Sequence, residues 1–414
     1  MNANRTGPIW LFGATGKGGR AIARELVDDG ADVVLLGRDH DRLAAVAASL
    51  GGRVHARVTS GPDELTTLIA AERPAVVVNT VGPFTATTMP VARASMAAGS
   101  HYVDLANELE PVRALLDLDT EAKSQGVTLI TGAGFGVLAT EALVVELRGD
   151  RPAAASVSVA ALPAVDSMGS AVLASAIDAM GYGGRRYRDG QLVRTRLGAD
   201  HARIPLPNSP AREALSVPTG ELEAARRASG AVDVLAYSSE VPSGPVVRAV
   251  LPAVSALLAA RPIRAGAQRL ASRLRLTPPV KSGDVSWAYA LLEWSDGSRR
   301  HAWLRTGEGY RFTAKVAAHT AARISDGSAA AGAFTPGALF GTELALAAGA
   351  ESSPPTRWPD EREWLSPPRS ADPGRPRRTA PRLGVRARRA RSAPGRRDGP
   401  WHRRHQSHRI GTVR

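Results

Sequence analysis

The sequence predicts an α/β fold in which a doubly wound parallel sheet is followed by an α+β half and a basic C-terminal tail. Three observations carry this expectation. Short apolar runs alternate with helical patterns over the first 134 residues, and a glycine-rich turn joins the first run to the first helix. Beyond Gly134 the alternation gives way to hairpin patterns.

The opening unit reads Pro8-Ile-Trp-Leu-Phe-Gly13-Ala-Thr-Gly16-Lys-Gly-Gly19-Arg-Ala-Ile-Ala-Arg-Glu-Leu26. An apolar strand ends at Gly13, glycines follow at three-residue spacing, and a helix with Ile22 and Leu26 on one face begins at once. Gly13 lets the strand turn sharply, Gly16 lets the backbone approach a pyrophosphate, and Gly19 lets helix and sheet pack closely. Phosphates would then rest on free N–H groups at a helix N-terminus, where the macrodipole favours negative charge. The turn therefore nominates Gly13, Ala14, Thr15, Gly16, Lys17, Gly18 and Gly19 as dinucleotide-binding residues.

The remaining elements follow in order. Residues 32–36 read as a second strand, and Leu43, Val46, Ala47 and Leu50 fall on one helix face. Residues 54–58 make a short third strand, and Leu65, Leu68 and Ile69 mark the next helix. The run 75–79 is continuously apolar, as in a parallel strand buried on both faces. A helix from about Pro90 to Gly99, a strand at 101–104, a helix from Val112 to Gly126 and a strand at 127–131 close the series. In the second half, 156–160 is a strand, 169–180 a helix, and 186–193 a hairpin through Asp189-Gly190. Val285, Trp287, Tyr289 and Leu291 alternate along a strand that joins residues 301–305 through Asp296-Gly297. Between them lie a Pro-rich connection (Pro205, Pro207, Pro210, Pro218) and helices near 247–260 and 265–274.

The composition, 43% hydrophobic and 22% charged, is that of an ordinary globular protein. With no cysteine, disulfides, thiolate nucleophiles and cysteine-ligated metals are excluded. His55, His201, His301 and His319 are scattered, and no metal is expected. The N-terminus lacks a signal-peptide core, and the lipophilic stretch 249–260, bounded by Arg248 and Arg261 and containing Pro252, is too short to span a bilayer. It reads as a buried helix, with a membrane-surface helix as the alternative. These features place the chain in the cytoplasm without a transmembrane segment and leave peripheral membrane contact and homo-oligomerisation open.

The net charge of +14 is concentrated at one end. Residues 351–414 hold 17 arginines and 6 acidic residues, leaving 36 basic and 33 acidic residues elsewhere. The tail is expected to be disordered and solvated rather than a specific nucleic-acid site, since no aromatic platform or folded basic face accompanies it.

At the end of the second strand an acidic residue would bind the ribose 2′-hydroxyl of NAD. Gly37-Arg38 stands there, with Arg42 one helical turn on; a guanidinium suits a 2′-phosphate, so NADP is expected over NAD. Asp39 is a competing ribose ligand.

Gly13-Ala-Thr-Gly16-Lys-Gly-Gly19, Gly37-Arg38, Val78-Asn79-Thr-Val-Gly82-Pro83-Phe84, His101-Tyr-Val-Asp104-Leu-Ala-Asn-Glu108 and Thr131-Gly-Ala-Gly134-Phe135 resemble, in order and spacing, saccharopine dehydrogenase-like NADP-binding proteins, above all their trans-acting enoyl reductase branch. A weaker likeness extends through Tyr187-Arg-Asp-Gly-Gln-Leu-Val193, Gly309-Tyr310 and 335–341. The resemblance implies a Rossmann-type sheet interrupted by a second α+β domain, with boundaries at 1–134, 135–328 and 329–350 and the last helix returning to the first domain. It also implies that Asn79, Val81, Gly82 and Pro83 border the cofactor and that 101–108 lie near the nicotinamide. The chain departs from the family pattern at Thr80, where cysteine is common, at Asn107, where glycine is common, and at Gly136, where aspartate often stands.

For proton chemistry the candidates are Tyr102 and Asp104, at the carboxyl end of a parallel strand. They are expected on different sides of that strand; the alternative has Tyr102 in the core and Asp104 and Glu108 capping the next helix. Together these readings imply an NADP(H)-dependent oxidoreductase acting on an organic, lipid- or polyketide-like small molecule, or else an NADP-binding sensor without turnover.

Overall fold

The computed structural model describes residues 7–353 apart from 52–53, 165–169, 242, 274–284 and 328. The basic segment 354–414, expected to be disordered, lies outside the described residues.

Strands β1 (Ile9–Phe12), β2 (Val33–Gly37), β3 (His55–Val58), β4 (Val76–Asn79), β5 (His101–Asp104) and β6 (Thr128–Ile130) form one parallel sheet with β15 (Gly332–Phe334), in the order β15-β6-β5-β4-β1-β2-β3. β1 and β4 are central and every residue in them is buried, which their uninterrupted apolar runs require. Strand order reverses between β1 and β4, so the carboxyl ends of these two strands open the crevice in which such sheets bind ligands.

Helices α1 (Lys17–Asp28), α2 (His40–Ser49), α3 (Pro62–Glu72), α4 (Phe84–Ala98), α5 (Leu109–Leu116) and α6 (Asp119–Gln125) connect the strands. Two differ from the sequence expectation. α4 begins at Phe84 and carries Pro90 in its interior; the hydrogen bond lost there is offset by burying Phe84, Thr87 and Thr88 one and two turns earlier. The helix expected up to Gly126 is two, breaking after Leu116 because Leu118 turns into the core.

α7 (Phe135–Arg148) links the two halves and had no signature in the sequence. It is buried nearly all round, and a helix without a polar face shows no 3.6-residue period. Beyond it β7 (Ser156–Leu162), β10 (His201–Leu206), β11 (Ser209–Ser216), β12 (Asp233–Ser238), β13 (Ser286–Glu293), β14 (Arg299–Thr306) and β16 (Glu351–Ser353) run in the order β10-β11-β12-β7-β13-β14-β16. Only the β7–β12 pair is parallel among these ladders. The hairpin β8 (Gly184–Arg188) and β9 (Gln191–Thr195) adds to β12, its Asp189-Gly190 turn having φ of 50° and 75°.

The Pro-rich connection is itself the β10–β11 hairpin. Pro205 sits at a register shift in the edge strand, where a missing N–H costs little. β13 has two characters: Trp287, Tyr289 and Leu291 pack with Trp303 on one face, and Ala288, Ala290 and Leu292 leave room for α7 on the other. The edge strand β16 occupies three residues that the composition had assigned to the tail.

Near the C-terminus, α12 (Gly309–Ser325) packs against α1 and over β4 and β5, and β15 extends the first sheet beside β6. These elements return to the first sheet, whereas the last helix, α13 (Pro336–Ala347), lies against α7 and α12. Helix α9 (Gly220–Ser229) lies between α5, α7 and β12. Helices α8 (Ser170–Tyr182), α10 (Pro245–Leu258) and α11 (Arg261–Arg273) pack on one another.

Candidate functional site

The carboxyl ends of β1 and β4 meet through the glycine turn. Gly13 has φ of +91°, and a Cβ there would lie 2.4 Å from Thr80 Oγ1 and 2.7 Å from Val81 Cγ2. The Thr80 hydroxyl donates to Phe12 O at 2.8 Å, pinning the loop after β4 to the end of β1. A Cβ at Gly19 would meet Gly13 O at 2.3 Å and Ala14 Cα at 2.9 Å, so close packing of α1 on its own turn excludes a side chain there. Gly16 caps α1 with no side-chain bond, and the first turn holds no acidic residue. The leading N–H groups of α1 are left for an anion.

Lys17 points toward α12: Nζ lies 3.8 Å from Glu308 Oε1 and 3.8 Å from the centre of the Tyr310 ring. Helix α12, from the distal end of the chain, thereby braces the turn.

The end of β2 lies beside the same turn. A Cβ at Gly37 would sit 3.5 Å from Thr15 Cγ2, and Arg42 Nη2 donates to Thr15 O at 3.3 Å. Arg38 is exposed between them. Asp39 Oδ1 accepts the Arg42 N–H at 3.0 Å, so its carboxylate serves as the N-cap of α2.

Asn79 is buried, with Nδ2 donating to Thr87 Oγ1 and Tyr102 OH, both at 3.1 Å, and Oδ1 accepting Val81 N–H at 3.0 Å. Its side chain therefore shapes the Val81-Gly82-Pro83 loop instead of lining the crevice.

Tyr102 and Asp104, expected on different sides of β5, share one. Residues two apart on a strand point the same way, and Tyr102 OH donates to Asp104 Oδ2 at 3.0 Å. Asp104 also accepts from Thr88 and Thr131 hydroxyls, both at 2.8 Å, and from the N–H groups of Ala106 and Gly132. Burial pushes the Asp104 carboxyl up and these bonds hold it back; burial and then the Asp104 charge push Tyr102 well above its ordinary range. Both are fully buried and saturated with partners, which suits them to lock β4, β5, β6 and α4 together and not to meet a substrate. Glu108 does not cap the helix that follows it; its carboxylate accepts from Phe84 N–H at the start of α4 and from Asn107 N–H.

A carboxylate the sequence did not single out occupies the space beyond β5 and β6. Glu221, on the first turn of α9, is 3% exposed, and its Oε1 would lie 2.1 Å from a Cβ at Gly136. Burial raises its pKa from 4.5 to about 7, against a hydrogen bond from Thr219 and with the Glu240 charge adding to the rise. Its Oε2 and the neighbouring Asn107 Oδ1 are buried without a hydrogen-bond partner. Asn107 Oδ1 only accepts, whereas Glu221 Oε2 accepts when ionised and donates when protonated, so they present a buried, half-satisfied polar pair.

α9 is held firmly. Gly220 N–H donates to Asn107 O at 2.8 Å, Thr219 bridges to Glu108, and a Cβ at Gly220 would meet Val112 at 3.0 Å. On the same helix Glu223 binds the Tyr187 hydroxyl, Arg226 and Arg227, with Arg113 of α5 at 3.8 Å. Burial raises the Glu223 pKa, but these bonds outweigh it and bring it below 4.5.

Residues 9–130 match the saccharopine dehydrogenase NADP binding domain family. That stretch is similar to saccharopine dehydrogenase-type NADP-binding domains. Over 151 residues the chain is 34% identical to a trans-acting enoyl reductase of Mycobacterium tuberculosis, covering 35% of this chain and 36% of that protein. A putative trans-acting enoyl reductase of the same organism is 37% identical over 133 residues, 31% of this chain and 32% of its own length. The chain thus spans about a third of the length of the curated relatives it matches. The fold as a whole is similar to apo saccharopine dehydrogenase (L-Glu forming) from Saccharomyces cerevisiae, with a TM-score of 0.51 at 13% identity over 84% of this chain and 100% of that one.

Two of the departures noted in the sequence have structural counterparts. Thr80 supplies the hydroxyl that ties two strand ends together. At Gly136 the absence of a side chain makes room for the Glu221 carboxylate.

Proposed function

We propose that the chain is an NADPH-dependent oxidoreductase whose organic, lipid- or polyketide-like substrate lies between the two sheets. In this reading Gly13 to Gly19 hold the pyrophosphate, Arg38 with Arg42 beside it takes the 2′-phosphate, and Val81, Gly82 and Pro83 border the nicotinamide end. The bound cofactor supplies the hydride. Glu221 supplies or accepts the proton at Oε2, and Asn107 Oδ1 receives a donor group of the substrate. Tyr102, Asp104 and Asn79 hold the loops after β4 and β5 in place and do not react.

The observation that carries the proposal is the Glu221–Asn107 pair. Two buried oxygens without hydrogen-bond partners cost folding energy, on the order of 1–3 kcal/mol each, and so are expected where a ligand completes them. A carboxyl group poised near neutrality also matches what general acid catalysis needs.

The test combines NADPH fluorescence titration with NADPH oxidation in the presence of enoyl-thioester, carbonyl and imine probes. Saturable NADPH binding with turnover of one probe class, lost in Glu221→Gln with NADPH affinity kept, is the expected result. Absence of NADPH binding at millimolar concentration overturns the reading, and binding without turnover of any probe favours a nucleotide sensor.

A further inference from the structure

Helix α10 has two apolar stripes, of which only one is covered. Leu251, Ser255 and Leu258 are buried against the protein. Val246, Val250, Val254 and Leu257, spaced i, i+4, i+8 and i+11, form a second stripe roughly 110° round the helix at 3.6 residues per turn, 75%, 50%, 37% and 57% exposed. Helix α11 also exposes apolar residues, Ile263 and Leu270, 41% and 63% exposed, although its burial against the protein is at Ala271. The sequence expectation of a buried helix thus fails for half of α10.

The charges around this surface have one sign. Between Glu240 and Asp284 the chain has six arginines and one lysine and no acidic residue. Arg261 and Arg269 are exposed and Arg248 is half-buried, whereas Arg264 is turned inward to Asp178 at 3.4 Å. No single described helix is long and apolar enough to cross a membrane, and α10 and α11 are bent by 109° relative to each other. An apolar stripe flanked by arginine without acid is the pattern of a helix lying in a lipid interface.

We propose that the exposed face of α10 and α11 docks on an anionic lipid surface, with Val246, Val250, Leu257, Ile263 and Leu270 entering the acyl boundary and the basic segment, through the exposed Arg261, meeting headgroup phosphates. A second copy of the chain is a poorer occupant, because a two-fold contact through this face would set the same arginines against each other with no acid to offset them. The docking is independent of the proposed redox chemistry. It would nonetheless place a lipid-facing surface next to the crevice, since α8, which packs on α10 and α11, accepts through Asp178 Oδ2 a 2.8 Å hydrogen bond from Thr85 at the start of α4.

The experiment is vesicle flotation of the full chain with phosphatidylcholine alone and with phosphatidylcholine containing about 30% phosphatidylglycerol, at low and high salt. Flotation is expected with the anionic vesicles, several-fold weaker with the neutral ones and weaker in salt. Val250→Asp with Leu257→Asp should reduce it about tenfold while circular dichroism and thermal midpoint stay unchanged, since both side chains are exposed. Absence of flotation with anionic vesicles overturns the proposal, as does an unchanged double variant. So does a dimer in solution that the double variant converts to monomer without any vesicle binding, or capture of an acidic protein partner by a chain that does not float. NADPH titration of the same samples separates failure here from failure of the proposed reaction.

Discussion

Glu221 combines two roles that pull in opposite directions. A carboxyl group whose pKa is raised from 4.5 to about 7 in the folded chain binds its proton more tightly there than when unfolded. Folding stability is therefore undiminished at or below about pH 4.5 and falls as pH rises toward 7, by on the order of 3 kcal/mol. Glu221→Gln should raise the thermal midpoint by several degrees at about pH 8 and leave it nearly unchanged at about pH 4.5, which a pair of melting curves checks. The same substitution should abolish most turnover without altering NADPH affinity. Restoring aspartate at Gly136 while Glu221 remains should destabilise the protein by a few kcal/mol, because the new side chain meets the Glu221 carboxylate and adds a like charge.

In the proposed reading, Arg38 is the position that separates the two nicotinamide cofactors. Arg38→Ala is expected to weaken NADPH roughly 10- to 100-fold, the loss of one charge-assisted contact, and to change NADH little. Equal weakening of both, measured by fluorescence titration, would remove the 2′-phosphate from the argument.

Among the elements, α9 decides whether the candidate site exists. It carries Glu221 toward Gly136 and Glu223 into the pocket formed by Tyr187, Arg226 and Arg227. Glu223→Ala would leave partly buried guanidinium groups and a phenol without their acceptor, a loss of about 3–5 kcal/mol in urea denaturation. Because the anchor and the acid share one helix, turnover should fall even at temperatures where the variant is folded. Helix α12 plays a comparable part for the nucleotide turn through Tyr310 and Glu308. Tyr310→Ala should therefore weaken NADPH binding modestly while leaving the first sheet intact by circular dichroism.

At the scale of the whole molecule, the two sheets present different problems to a reader of the sequence. β1, β4 and the turn between β1 and α1 were legible because their residue types answer to local geometry: a strand buried on both faces must be apolar throughout, and Gly13 and Gly19 stand where no Cβ fits. α7 and α9 were not: α7 is buried nearly all round and shows no one-sided period, and the short α9 buries Glu221 and Glu223, residue types that rarely mark a buried face. Tyr102 and Asp104 were picked for residue type and strand position, yet neither reveals burial. Five hydrogen bonds to Asp104 come from residues spread between 88 and 132.

The sequence by itself determined the nucleotide turn, the basic residue at the end of β2 and the parallel first sheet, because each rests on neighbours a few residues apart. Tertiary structure decided which carboxylate keeps a buried oxygen without a partner and which apolar helix face is left uncovered. Glu221 reaches Gly136 across 85 residues of chain, and the valines of α10 are exposed only because Leu251 and Leu258 claim the buried side. Contacts of that span follow from how helices and sheets pack, and no local pattern of residues encodes them.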